Sequence, residues 1–76
     1  MSKKLRKAFG RALREIRKKR GLSQLEISTT SDLDRAYVSE LENGLKNPSL
    51  ETIYRLADAM EIPAVDLIKK TTEMLD

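Results

Sequence analysis

The side chains with the clearest chemical potential in this chain are cations near its start. Residues 1–21 contain ten Lys and Arg and a single acid, Glu15, which gives the segment a net charge of +9. Residues 22–76 carry a net charge of −6, so the overall value of +3 hides a strong polarity. This polarity favours an anionic partner on one side of the molecule, although a helix with a solvated basic face would give the same pattern.

Two residue types are missing from the sequence, and their absence excludes several kinds of chemistry. The chain has no Cys and no His. Disulfides, thiolate metal sites, His-based zinc sites and Ser–His or Cys–His nucleophiles are therefore ruled out. Carboxylates, Lys and Tyr are present, but without a glycine-rich phosphate loop or a metal-binding cluster. We expect no enzyme activity, no metal and no cofactor.

The length and composition indicate one small folded domain. With 76 residues and 39% hydrophobic content, the chain is too apolar for plain disorder. A chain of this size buries only about 60–65% of its unfolded surface, so we expect two copies to associate and reinforce it. No apolar run approaches the roughly 18 residues that span a bilayer, and no secretory signal follows the basic start. We expect a cytoplasmic protein.

Helix signals divide the chain into five segments, and no stretch shows the two-residue alternation of a strand. The first helix is predicted from about Lys4 to Arg20, and Gly21 suits its left-handed end. The second helix begins at a capping box formed by Ser23 and Glu26, and should end at about residue 30.

The remaining three helices are delimited in the same way. Asp34 is the expected N-cap of the third helix, which should end at Asn43 and Gly44. Ser49 caps the fourth helix, and Pro63 suits the first turn of the fifth.

Apolar residues recur at steps of three and four in these helices, which predicts one core-facing side for each. The first helix carries Leu5, Phe9, Ala12, Leu13 and Ile16, and the third carries Val38 and Leu41. The predicted inner face of the fourth consists of Leu50, Ile53, Leu56, Ala57 and Met60. The fifth carries Val65, Leu67, Ile68, Met74 and Leu75. The fold class is therefore predicted to be all-α, a single five-helix bundle.

The second and third helices form a distinct unit at about residues 23–43. A tight polar turn joins them and each has its own cap, which is the geometry of a helix-turn-helix. The supporting sequence runs are Gly21–Gln24, Ile27–Ser28, Leu33–Ser39, Glu42–Gly44 and Asn47–Leu50. With these runs, residues 9–68 resemble the Cro/CI-type helix-turn-helix domain, also called the XRE family, which includes the lambda and 434 phage repressors. Within it, the runs at 33–39 and 47–50 are most similar to the controller proteins of restriction–modification systems.

The resemblance implies a lambda-repressor-like bundle, with residues 1–76 as one DNA-binding domain. The third helix would enter the major groove of double-stranded DNA, with base contacts from Arg35, Ala36, Ser39 and Glu40. Arg35 has the planar fork that matches guanine, Ala36 suits a thymine methyl, and Glu40 could accept from a cytosine amino group. Two alternatives stay open: Arg35 could pair with a neighbouring acid, and Glu40 could be a solvated or Arg-paired acid.

Other positions would fix the domain on the DNA backbone. By resemblance, the phosphate contacts would come from Ser23, Gln24, Tyr37, Asn43 and Lys46, with Lys18 and Lys19 as weaker candidates. Tyr37 could instead be half-buried with its hydroxyl in solvent. The resemblance also implies a structural salt bridge between Arg17 and Glu42.

Three positions depart from the family pattern. Asp32 stands where the family often has Gly, and Asp tolerates the left-handed conformation at a cost of about a kcal/mol or less. Ser28 replaces the usual Ala between the two helices, so its hydroxyl needs a partner. Leu25 takes a position that is usually polar, and we expect it to be exposed.

Two functions compete at this point. The first is a nucleoid-associated transcriptional regulator that acts as a homodimer on a two-fold related operator. Its dimer interface would lie on the fourth and fifth helices, about residues 49–74, and include Val65, Ile68, Met74 and Leu75. A frayed tail would leave the same residues partly exposed. The second function is an antitoxin or adaptor-type module that binds another protein through these helices, with DNA binding secondary. RNA binding is less favoured because three aromatic residues offer no stacking platform.

Overall fold

The structure, a computed structural model, describes residues 1–75 and contains five helices and no strand in that range. The helices are α1 (Lys3–Lys19), α2 (Gln24–Ser31), α3 (Arg35–Glu42), α4 (Leu50–Ala59) and α5 (Ala64–Glu73). The predicted all-α class and the order of the helices are confirmed, with boundaries that differ by one or two residues. None of the described helices is long and apolar enough to cross a membrane.

The helix ends follow the capping residues closely. Ser23 and Glu26 form the predicted capping box, in which the Ser23 hydroxyl accepts from the Glu26 N–H and the Glu26 carboxylate accepts from the Ser23 N–H. Ser49 caps α4 by accepting from the Thr52 N–H. Gly21 and Gly44 have φ values of 69° and 72°, the left-handed conformation expected where α1 and α3 end.

Asp34 is the N-cap of α3 as predicted, but its side chain does not make the hydrogen bond expected of a capping residue. It occupies the N-cap position of α3, and its carbonyl accepts the first intrahelical bond from the Val38 N–H at 3.0 Å. Its carboxylate, however, makes no capping hydrogen bond within the described residues. An exposed carboxylate keeps its hydration in solvent, so it does not need a backbone partner.

The core forms where the five apolar faces meet. Its buried members are Phe9, Ala12, Leu13, Ile27, Val38, Leu41, Ile53, Leu56, Met60 and Leu67. Leu50 was predicted to belong to this set and does not, since it is 67% exposed. The buried face of α4 is centred on its middle and last turns, and Leu50 on the first turn lies at the edge of the domain.

The apolar residues near the C-terminus fall into two groups. Leu67 is fully buried, and Met74 packs against the core from the end of α5. Val65 and Ile68 are 65% and 46% exposed. An ion pair at 3.1 Å between Lys70 and Glu15 helps to hold α5 against α1. Val65 and Ile68 are therefore exposed even where α5 is fully helical and held against α1.

Gly10 allows α1 and α3 to approach closely. A Cβ atom at this position would lie 2.5 Å from the carbonyl oxygens of Leu41 and Glu42, which are backbone atoms at the end of α3. Such a distance is far below van der Waals contact, so only glycine permits this crossing.

Gly10→Ala tests this close crossing, because the crossing reverses the sign of the change expected in the free energy of unfolding. In an ordinary helix interior the change would stabilise by about 0.5–1 kcal/mol. Here we expect it to lower the free energy of unfolding by about 1–3 kcal/mol, because the backbones must separate. Urea unfolding followed by circular dichroism measures this, with Arg11→Ala on the exposed side of α1 as the control. Stabilisation by Gly10→Ala would contradict the close approach.

Candidate nucleic-acid interface

A buried ion pair joins α1 to the end of α3. The Nε and Nη2 atoms of Arg17 donate to the two carboxylate oxygens of Glu42 at 2.6 and 3.0 Å. Both residues are buried, and the hydrogen bonds that Arg17 donates to the Glu42 carboxylate raise the pKa of Arg17. This bidentate geometry fixes the orientation of both side chains. The salt bridge expected from the resemblance is thus present in the structure.

The same pair also holds the beginning of α2. Arg17 Nη1 donates to the Leu22 carbonyl at 2.9 Å, and the Gln24 amide donates to Glu42 Oε1 at 3.1 Å. Three helices therefore meet at one carboxylate. The contact between Gln24 and Glu42 was not foreseen, because residues 18 positions apart in the sequence carry no local signal of their proximity.

The N-terminus of α2 leaves backbone donors at this junction. The capping box uses the N–H groups of Ser23 and Glu26. Within residues 1–75, the N–H groups of Gln24 and Leu25 have no acceptor, as expected for the first turn of a helix. Free N–H groups and the positive end of the helix dipole favour an anion.

The turn between α2 and α3 is held by side-chain hydrogen bonds. The Ser28 hydroxyl donates to the Leu33 carbonyl, which is the partner that this hydroxyl needs. Asp32 ends α2 with φ 58° and ψ 35°, the left-handed conformation expected for its position. The turn therefore adopts the left-handed conformation without glycine, and the Ser28 hydrogen bond ties α2 to the segment that leads into α3.

The outer face of α3 carries the four residues expected to contact bases. Arg35 and Ala36 are exposed, and Ser39 and Glu40 are partly exposed. Val38 and Leu41 on the other side are fully buried. Within the described residues Arg35 forms no salt bridge with an acid and Glu40 forms none with an arginine, so the ion-paired alternatives are not seen, whereas a solvated Glu40 stays open.

The expected phosphate-binding residues differ in their placement. Asn43 and Lys46 are exposed beside the end of α3, and Ser23 is exposed at the start of α2. Tyr37 is partly buried and packs against the core, as its alternative interpretation anticipated. Lys19 lies nine residues after Gly10, about two and a half helical turns, so it is on the side of α1 opposite to α3.

A groove of about 430 Å³ lies between α2 and the end of α4. Its lining includes the carboxylates of Glu26, Asp58 and Glu61, together with Leu25, which is 55% exposed as expected. Three carboxylates repel phosphate. The groove is therefore unsuited to a nucleic-acid backbone, which leaves the outer face of α3 as the candidate surface.

The fold and this surface define a class of protein: a small all-α domain whose helix-turn-helix presents its second helix to the outside. A sequence model described as helix-turn-helix matches residues 13–67. The chain belongs to this helix-turn-helix family, the Cro/CI-type or XRE family that its sequence resembles.

Similar proteins of known name are regulators. The uncharacterized HTH-type transcriptional regulator y4dJ of Sinorhizobium fredii is 36% identical over 69 residues, which are 91% of this chain and 90% of that protein. The control protein C.BamHI of Bacillus amyloliquefaciens is 36% identical over 73 residues, 95% of this chain and 90% of its own. The crystal structure of the restriction-modification controller protein C.AhdI from Aeromonas hydrophila has a TM-score of 0.80 at 44% identity, covering 82% of this chain and 94% of that one.

The ion pair between Arg17 and Glu42 predicts a marked asymmetry between single and double substitutions. Glu42→Leu should lower the free energy of unfolding by about 3–5 kcal/mol, because it leaves the Arg17 charge buried without a counter-ion. The double variant Arg17→Met/Glu42→Leu should recover most of this loss, since it removes both charges.

Urea unfolding of the two variants and the parent protein measures these differences. A loss of only about 1 kcal/mol or less in Glu42→Leu, the size typical of a surface pair, would contradict the buried junction.

Proposed function

We propose that the protein is a sequence-specific DNA-binding transcriptional regulator that acts as a homodimer on a two-fold related operator. The observation that carries the proposal is the outer face of α3, on which Arg35 and Ala36 are exposed at the leading end of a helix whose other side is buried. A helix placed in this way can enter the major groove, where its N-terminal residues approach base edges.

The base-contact positions divide by the chemistry of their side chains. Arg35 would donate two hydrogen bonds to O6 and N7 of a guanine, and Ala36 would contact a thymine methyl. Glu40 would accept from a cytosine amino group, and the Ser39 hydroxyl can donate or accept. Exposure and the absence of an ion pair at Arg35 within the described residues support its role as the main specific contact.

Phosphate contacts at the two ends of the helix-turn-helix would determine how deeply α3 enters the major groove. The N–H groups of Gln24 and Leu25 point from the start of α2, next to the exposed hydroxyl of Ser23. Asn43 and Lys46 lie at the other end. Tyr37 and Lys18 are weaker contributors, and Lys19 would take part only through the general field of α1.

The exposed side of α5 would join two copies. Val65 and Ile68 are three residues apart on one face of the helix, and both are exposed in the protomer. Leu75 extends this apolar surface, whereas Met74 contributes less because it already packs against the core. Two-fold related copies would read half-sites about 34 Å apart.

The relatives suggest the setting in which this regulator acts. Since controller proteins of restriction–modification systems are among them and span nearly the same length, a controller role is the specific form of the proposal. The five helices of residues 1–75 form one helix-turn-helix domain, which would be the part of the protein that binds the operator. With DNA as its partner, it would reside on the nucleoid in the cytoplasm.

Arg35→Ala tests direct readout. We expect it to weaken binding to the selected operator by about 1–3 kcal/mol per half-site, because a bidentate base contact is lost in each, and to change binding to random DNA much less. The operator is first obtained by sequencing duplex fragments that the protein retains from a random library, and affinities are then measured by fluorescence anisotropy. Thr29→Glu, which makes the same change in net charge on the groove side of α2, is the control. Equal losses on operator and random DNA would rule out a base-reading role for Arg35.

Ile68→Glu tests the dimer. Because Ile68 is exposed in the protomer, we expect the variant to keep its helical content but to sediment as a monomer and to bind the operator with a shallower concentration dependence. Leu25→Glu introduces the same charge at an exposed leucine of α2 and should remain dimeric. A parent protein that is itself monomeric and aggregates would favour the antitoxin or adaptor alternative instead.

A further inference from the structure

A stripe of three cations on α1 lies outside the interface described so far. Lys3, Lys7 and Arg14 are exposed, and Gly10 lies between Lys7 and Arg14. The steps of four, three and four residues place these positions on one side of the helix. Sequence reasoning found the cations but could not say which side of α1 faces the helix-turn-helix.

The close packing around Gly10 and Gly44 shows which part of the domain this side of α1 faces. A Cβ on Gly10 would meet the carbonyl oxygens of Leu41 and Glu42 at 2.5 Å, and a Cβ on Gly44 would lie 3.1 Å from the Cα of Lys7. The stripe therefore lies against the C-terminal end of α3. Its cations flank that contact along α1, next to the segment that carries Asn43 and Lys46.

Hydrogen bonds hold the first turns of α1 in this position. Arg6 Nε donates to the Gly44 carbonyl at 3.2 Å, and Arg6 Nη1 donates to the Met1 carbonyl at 3.0 Å. The Ser2 hydroxyl caps the helix by accepting from the Leu5 N–H at 3.1 Å. The cations are thus carried on a fixed helix, so their positions relative to α3 are defined.

The charge of the stripe is not neutralised by neighbouring acids. Residues 1–14 contain no Asp or Glu. Lys3, Lys7 and Arg14 form no salt bridge within the described residues. The acid of α1, Glu15, pairs with Lys70 of α5. The positive potential of this side is therefore available to an external anion.

We infer that Lys3, Lys7 and Arg14 bind phosphates of the same DNA duplex, extending the contact beyond the helix-turn-helix along α1. The inference rests on the proposed function, because it assigns a second part of the same interface. Contacts to phosphates carry no sequence information, so this stripe raises affinity for every duplex equally and fixes the register of α3 in the groove. Its positive charge also offsets that of Asp34 and Glu40, the acids that remain exposed or partly exposed on α3 and its N-cap.

The test is the salt dependence of DNA binding by the double variant Lys3→Gln/Lys7→Gln. The probes are the duplex selected by the parent protein and a scrambled duplex of equal length. The logarithm of the affinity falls as the logarithm of the salt concentration rises, and each lost phosphate contact makes this negative slope shallower by about 0.9. Because two protomers bind each duplex, the double variant loses four contacts, and we expect the slope to become shallower by about 3.6, with the same fold-loss on both duplexes.

Thr29→Glu/Thr30→Glu is the matched control, because it makes the same change in net charge on the groove side of α2, at two exposed residues outside both proposed interfaces. Its slope should stay at the parent value while sedimentation shows an unchanged oligomeric state. A double variant that keeps the parental slope, or a control that loses as much as the double variant, would overturn the inference. If the parent binds the selected duplex and Arg35→Ala loses specificity while the double variant is unaffected, this inference alone fails. If the parent binds no duplex, the proposed function fails with it.

Discussion

The arrangement of the helix-turn-helix depends on one carboxylate. Glu42 accepts two hydrogen bonds from Arg17 and one from Gln24, and thereby joins the last turn of α3, the body of α1 and the first turn of α2. A buried pair of this kind is weak support for overall stability, but it specifies one geometry because any other leaves a charge unsatisfied. The close crossing at Gly10 adds a steric constraint at the same end of α3. Together they determine how α3 is presented to the outside.

The same carboxylate resolves an electrostatic conflict in the sequence. The reading helix and its cap contain Asp34, Glu40 and Glu42 but only one cation, Arg35, which is an unfavourable balance for binding a polyanion. Burial against Arg17 removes Glu42 from the exposed surface. In the interface that we propose, the cations that offset the remaining acids come from α1, which the same ion pair joins to α3. The contact would then serve both structure and binding, and the acid-lined groove between α2 and α4 lies apart from this surface.

Local signals in the sequence were sufficient for the helices and most of the core, but not for contacts between distant segments. The capping box at Ser23 was predictable because its partner is three residues away. The exposure of Leu50 was not, since periodicity identifies a face of a helix but not where the core ends along it. The Asp34 carboxylate makes no capping hydrogen bond, so a residue type that is favoured at the N-cap does not guarantee that bond. The direction of the cationic side of α1 emerged only from the contacts of Gly10 and Gly44, because it depends on how two helices cross.

In the proposed complex, the duplex lies across the start of α2, the outer face of α3 and the cationic side of α1. An NMR titration of the isotope-labelled protein with the selected duplex measures this placement residue by residue. We expect the largest amide shifts at Ser23–Leu25 and at Arg35–Lys46, with smaller ones at Lys3–Lys7 and none at Asp58–Glu61. Shifts concentrated at Asp58–Glu61 and along the groove side of α2, with α3 unchanged, would contradict this placement.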